Sequence, residues 1–204
     1  METGLGIFLL SAAAISFTGV MFPGPMTAAT IAKGYHDRNA GVWIAVGHAV
    51  VEIPLIVAIY FGFGYFIDSP WVVKVIYMLG GLMLLYLGFR MFRAIGRMPG
   101  KVDGLQHSSL VTGIVITGTN PAFYIWWATI GIALVAGTEK FGLVGIILFI
   151  FVHWLCDLAW SGFLSASTFY SRRWWTQKIQ KIVFTACALI LAGFGVWFCI
   201  SAFL

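Results

Sequence analysis

Long apolar stretches alternate with short polar joints along the chain, at about residues 5–32, 41–67, 71–93, 109–137, 142–169 and 181–204. None shows the two-residue alternation of a barrel strand, and each far exceeds the roughly ten residues such a strand needs. Each is long enough for a membrane helix of about 20 residues, so the pattern predicts six spanning helices and an all-α integral membrane protein. Composition agrees: of 204 residues, 61% are hydrophobic and 9% charged, with a mean hydropathy of +0.97. A soluble fold with so apolar a surface would aggregate. Six spans use roughly 120 positions and leave connections but no soluble domain. The opening Met1-Glu2-Thr3 has no basic start and no small-residue cleavage pattern follows, so a removable signal peptide is not expected.

The net charge of +5 matters through where the basic residues fall. Lys33, Arg38, Arg90, Arg93, Arg97, Lys101, Arg172, Arg173, Lys178 and Lys181 follow the first, third and fifth spans, against Lys74 and Lys140 on the other side. The positive-inside rule makes the first set cytoplasmic and puts both chain ends outside. This is membrane topology, not nucleic-acid binding. Cys156, Cys187 and Cys199 lie inside apolar spans without paired spacing, and read as small core residues rather than disulfide or zinc-ribbon partners.

Two spans are interrupted. The first holds Thr18-Gly19 and then Pro23-Gly24-Pro25; the fourth holds Thr117-Gly118 and then Asn120-Pro121. Proline lacks a backbone donor and clashes with the carbonyl four residues back, which costs about 3 kcal/mol in a helix interior. The freed polar groups need partners in hydrocarbon, so an unwound stretch is expected to face protein or a wet cavity. The second and fifth spans carry His48 with Glu52 and His153 with Asp157, each pair four residues apart and therefore on one helix face. By the rise of about 1.5 Å per residue, Glu52 and His153 each lie roughly 16 Å into their spans, near mid-membrane. An acid there costs about 2.5–3.5 kcal/mol on insertion scales, which packing alone does not explain. The order of these signals predicts two inverted three-helix repeats, residues 1–100 and 101–204, forming one membrane domain with helices one and four broken.

Other signals have plainer readings. Pro54 is expected to kink the second span. The glycines at 80, 81, 88, 193 and 195 read as close-packing positions, and Trp71, Tyr170, Trp174 and Trp175 as interfacial anchors. Trp126 and Trp127 fit a cavity wall, a lipid face or a core equally.

The chain resembles the lysine exporter (LysE/RhtB) family of amino-acid translocators along its whole length. The resemblance rests on Pro23-Gly24-Pro25, the glycines at 34, 41 and 47, the Gly80-Gly81-Leu82-Met83-Leu84-Leu85-Tyr86-Leu87-Gly88 run before basic residues, and Asn120-Pro121. It implies a secondary transporter exporting amino acids or close derivatives across the cell membrane in exchange for protons, with six helices that can pair as a homodimer. The family's fourth-helix motif often continues with lysine, whereas Ala122 and Phe123 follow here.

On that reading the amides after Pro25, around Met26, Thr27 and Ala28, sit at the positive end of a half-helix and are expected to hold a carboxylate. Carbonyls near Gly19 and Thr117, with Asn120, Glu52 and Asp157, are expected to hold the ammonium, while His48 and His153, with the two acids, carry protons. The substrate-binding set is thus Gly19, Pro23, Gly24, Pro25, Met26, Thr27, Thr117, Asn120, Pro121, Glu52 and Asp157. The alternative is a divalent-cation transporter using His48, Glu52, His153 and Asp157 as ligands, against which a wide separation of the two histidines would count. An enzyme is not expected, since no HExxH-like helix is present. No cofactor or nucleic-acid partner is implied; the partners are a small amino acid, protons and membrane lipid.

Overall fold

The computed structural model describes residues 2–22, 24–62, 70–94 and 108–203. Among them the chain is helical with no strand. The helices are α1 (Glu2–Val20), α2 (Pro25–Gly34), α3 (Ala40–Tyr60), α4 (Pro70–Ala94), α5 (Ser109–Gly118), α6 (Pro121–Trp126), α7 (Ile132–Thr138), α8 (Gly142–Ser171) and α9 (Gln177–Ser201). A π-helical turn, Trp127–Gly131, joins α6 to α7. The first apolar stretch is thus divided between α1 and α2, and the fourth between α5 and the α6–α7 run.

Ala40–Tyr60, Pro121–Trp174 and Gln177–Ser201 are long and apolar enough to cross a bilayer, and the bent pair Gly4–Val20 and Pro25–Gly34 makes a fourth such segment. The 54-residue Pro121–Trp174 run turns back on itself. Trp127 and His153 would stand about 39 Å apart on one straight helix, yet their rings lie 5.2 Å apart. The reversal falls at Gly142, whose φ of 60° lies in the left-handed region that favours glycine. Large side chains such as Leu10, Trp71, Leu143 and Phe163 project outward, as expected where the solvent is lipid. The chain is a multi-pass helical membrane protein.

Two apolar cores organise the helices. One joins Ala28, Ala32 and Tyr35 to Leu84 of α4 and Phe184, Ala188 and Leu191 of α9. The other joins Ala12, Ile56, Phe123, Trp127 and Phe149. Small residues let backbones approach: a Cβ at Gly41 would meet the Ser161 carbonyl, one at Gly47 that of Leu110, one at Gly113 that of Ile44, and one at Gly80 that of Thr119. Gly81 and Gly195 face one another across α4 and α9, and Gly88 abuts Ala188. Gly193 departs from its expected role, since nothing lies within 4 Å of a Cβ there. Trp175 departs too: it is partly buried against the first core and stacks near Tyr35, whereas Trp71, Tyr170 and Trp174 are exposed. Pro54 sits within α3 without dividing it.

Candidate functional site

The two interruptions are built differently. At the first, α1 and α2 meet at a 77° bend. Gly24 precedes α2 in an extended conformation with no side-chain cap, and Pro25 opens the helix. The first helical bond there runs from the Ala28 amide to the Gly24 carbonyl, so Met26 and Thr27 precede any intrahelical acceptor. At the second, Asn120 caps α6 by accepting from the Ala122 amide at 3.2 Å, and its carbonyl accepts from Phe123. The Tyr124 hydroxyl donates to the Gly118 carbonyl at 3.1 Å, and the Asn120 amide donates to that of Thr117.

Between these breaks lies a cavity of about 340 Å³ walled by α1, α2, α3, α5, α6 and α8. Gly19, Gly24, Pro25, Met26, Thr27, His48, Glu52, Thr117, Asn120, His153 and Asp157 all line it, as do Trp126 and Trp127. Pro121 does not; it is fully buried behind the wall. Pro23 lies outside the described residues. The carbonyls expected to hold an ammonium each already accept a hydrogen bond, that of Gly19 from the Phe22 amide and that of Thr117 from the Asn120 amide. Each keeps a second lone pair, but the charged partners that the cavity offers a cation are the Glu52 and Asp157 carboxylates.

The two histidine–acid pairs converge. His48 Nε2 lies 2.9 Å and His153 Nε2 3.1 Å from the same oxygen, Glu52 Oε1. Asp157 approaches both rings, at 3.8 Å from His48 and 3.7 Å from His153. All four side chains are buried, Glu52 at 2% exposure. Neither Glu52 Oε2 nor Asp157 Oδ2 has a hydrogen-bond partner among the described residues. The wide separation that would have counted against cation binding is not found. Aromatic rings hold the imidazoles in place: Phe123 meets His48 edge-on at 5.4 Å, while Trp126, Trp127 and Phe149 surround His153.

Each histidine also takes a hydroxyl from a distant helix. His48 Nδ1 lies 2.8 Å from Thr117 Oγ1 of α5, and His153 Nδ1 lies 2.7 Å from Ser16 Oγ of α1. Ser16 donates its own hydrogen to the Ala12 carbonyl at 2.7 Å. Its oxygen must therefore accept from His153 Nδ1–H, which leaves Nε2 of a neutral His153 as a bare lone pair. That lone pair points at a carboxylate oxygen. Two acceptors at 3.1 Å require a proton or another cation between them. Thr117 has no such second commitment among the described residues, so His48 can sit with either nitrogen protonated.

Sequence reasoning missed Ser16, Thr30, Trp160 and Ser161 on the cavity wall. A serine in an apolar helix normally bonds back to the carbonyl four residues earlier, as Ser16 does, so nothing in the sequence marked it. Thr30 Oγ1 and the indole nitrogens of Trp127 and Trp160 have no partner among the described residues, and so add polar groups to the wall.

The family model described as LysE type translocator matches residues 17–202. A Bacillus subtilis (strain 168) protein named "Putative amino acid efflux protein YcgF" is 22% identical over 182 residues, covering 86% of this chain and 87% of its own length. No solved structure matches.

Proposed function

The chain belongs to the LysE type translocator family, and from that premise we propose that it exports amino acids or close derivatives across the plasma membrane in exchange for protons. It does so as two inverted three-helix repeats, residues 1–100 and 101–204, with both ends outside. The observation that carries this reading is a single cavity onto which both the uncapped start of α2 and the Glu52–Asp157 pair open. Its volume of about 340 Å³ falls within the range of about 300–1,000 Å³ usual for small-molecule sites.

A zwitterion suits the two ends. Its carboxylate meets the amides of Met26 and Thr27 at the positive end of α2. Its ammonium replaces the cation that the clustered acceptors need, donating to Glu52 and Asp157. A proton and an ammonium compete for the same oxygens, so loading one expels the other. That competition is the physical basis of exchange when the repeats rock between inward-open and outward-open states. His48, whose Nδ1 faces an uncommitted hydroxyl, passes protons to and from the cluster; His153 holds them. Outward direction follows from the family and from the efflux name of the Bacillus subtilis relative.

The test is flux of labelled amino acids from proteoliposomes under an imposed pH gradient. The double variant Glu52→Gln, Asp157→Asn is expected to abolish gradient-driven flux while the protein still inserts and elutes normally in detergent. Full transport by that variant would discard the role of the two acids. A wild type that moves no amino acid under any gradient would discard the substrate class.

A further inference from the structure

We infer that His48, Glu52 and Asp157, completed by His153, form a binding site for a divalent transition-metal ion of the zinc class. The inference rests on the cluster and not on the broken helices. The ion would take the same Glu52 and Asp157 oxygens that the proposed exchange gives to an ammonium or a proton, so it competes with them rather than binding beside them.

Three of the side chains already offer ligand atoms within 4.8 Å of one another: His48, Glu52 and Asp157. His153 Nε2 lies 3.1 Å from Glu52 Oε1 and 3.7 Å from Asp157 Oδ2. Four-coordinate zinc with bonds of about 2.0–2.1 Å places its ligands about 3.3–3.4 Å apart. The separations of His48 Nε2 from Glu52 Oε1 and Asp157 Oδ1, 2.9 and 3.8 Å, bracket that edge, and His153 Nε2 lies 3.1 Å from the same Glu52 oxygen but meets Asp157 through its other oxygen, Oδ2. The set that already converges is therefore His48, Glu52 and Asp157, and His153 completes it once one Asp157 oxygen turns to serve both rings.

Charge points the same way. Two carboxylates buried at mid-membrane need two positive charges, and one divalent ion supplies both. The bare lone pair on His153 Nε2, fixed by the commitment of Ser16 to Ala12, is the state an imidazole must have to ligate a metal. Ser16 and Thr117 then stand where the outer shell of a metal site stands, accepting the Nδ1–H of each ligating ring. Glu52 Oε2 and Asp157 Oδ2, buried without partners among the described residues, are further acceptors available to the ion. The mixture of two imidazoles and two carboxylates selects zinc, cobalt, iron or manganese over calcium and magnesium, which take oxygen ligands in larger number.

The test uses the full chain in detergent without a histidine tag, titrated with Co²⁺ as the probe. Four-coordinate Co²⁺ gives visible absorption far stronger than the octahedral aqueous ion. Expected are one tightly held Co²⁺ per chain, displacement of that signal by Zn²⁺, and its loss in Asp157→Asn and in His48→Gln. Ser16→Ala and Thr117→Val, which leave all four ligands in place, are expected to weaken binding about 10–100-fold. Thermal melts of each variant establish that it is folded. Weak absorption in the folded wild type, or retention of Co²⁺ equal in wild type and Asp157→Asn, overturns the site. Flux assays in strong chelator keep the two readings apart. Amino-acid flux without a cobalt signal sinks the metal site alone, and a cobalt signal without amino-acid flux sinks the proposed passenger alone.

Discussion

The break after α1 and the break before α6 begin from the same local chemistry, a glycine followed within a few residues by proline, and end in opposite states. The first bends the chain by 77° and leaves the start of α2 without a side-chain cap. The second is closed by its own neighbours: Asn120 caps α6, Tyr124 reaches back to Gly118, and Gly80 of α4 packs on the Thr119 carbonyl. Proline disrupts a helix in both places. Whether the disruption becomes a binding surface depends on which groups are at hand to reclaim the freed backbone.

The contrast can be broken most severely at the first site. Restoring helix propensity there with Gly24→Ala and Pro25→Ala is expected to lower export at least about a hundredfold, because two charge-assisted hydrogen bonds are worth roughly 1.5–3 kcal/mol each. Pro121→Ala, assayed in the same vesicles, is expected to keep most of the activity; an equal loss in both would end the distinction. Next in size come the paired glycines. A Cβ at Gly19 would stand 2.9 Å from the Trp126 indole nitrogen, whereas one at Gly118 would meet nothing within 4 Å. Gly19→Val is expected to push Trp126 into the cavity at a cost of about 1–3 kcal/mol and to slow flux about tenfold. Gly118→Ala should leave flux unchanged, and a loss there as large as at Gly19 would contradict the geometry.

Smaller effects sharpen the second break. Asn120→Ala removes the α6 cap, and a stability loss of about 1 kcal/mol is expected, read as a Tm lowered by a few degrees with transport retained. If export falls while Tm holds, Asn120 contacts the passenger instead. Tyr124→Phe deletes one partly buried hydroxyl bond and should cost no more than about 1 kcal/mol in the same melt. A drop clearly beyond that of Asn120→Ala would mean the Gly118 carbonyl has no other partner within reach.

Much of this was legible in the chain. The apolar stretches at residues 142–169 and 181–204 appear as α8 and α9 with edges shifted by a few residues, since a run of hydrophobic side chains in lipid has no stable alternative to a helix. The closure at the second break was also encoded, because asparagine followed by proline is a helix cap and first-turn pair as well as a helix breaker. Reading Asn120-Pro121 only as a breaker overstated how open its carbonyls would be. Ser16 was not legible at all: its back-bond to Ala12 is what any buried helical serine makes, and its second partner lies 137 residues away.

Spacing and composition were enough to establish the helical membrane class, the sites where helices must stop, and two histidine–acid pairs each on one face, because all three follow from interactions within one or two turns of backbone. Packing alone could bring Glu52 between rings from α3 and α8, cross Ser16 to His153 and Thr117 to His48, and leave one break bare while the other closed. Those outcomes depend on contacts 69 to 137 residues apart, where no local preference of the chain can specify which atom meets which.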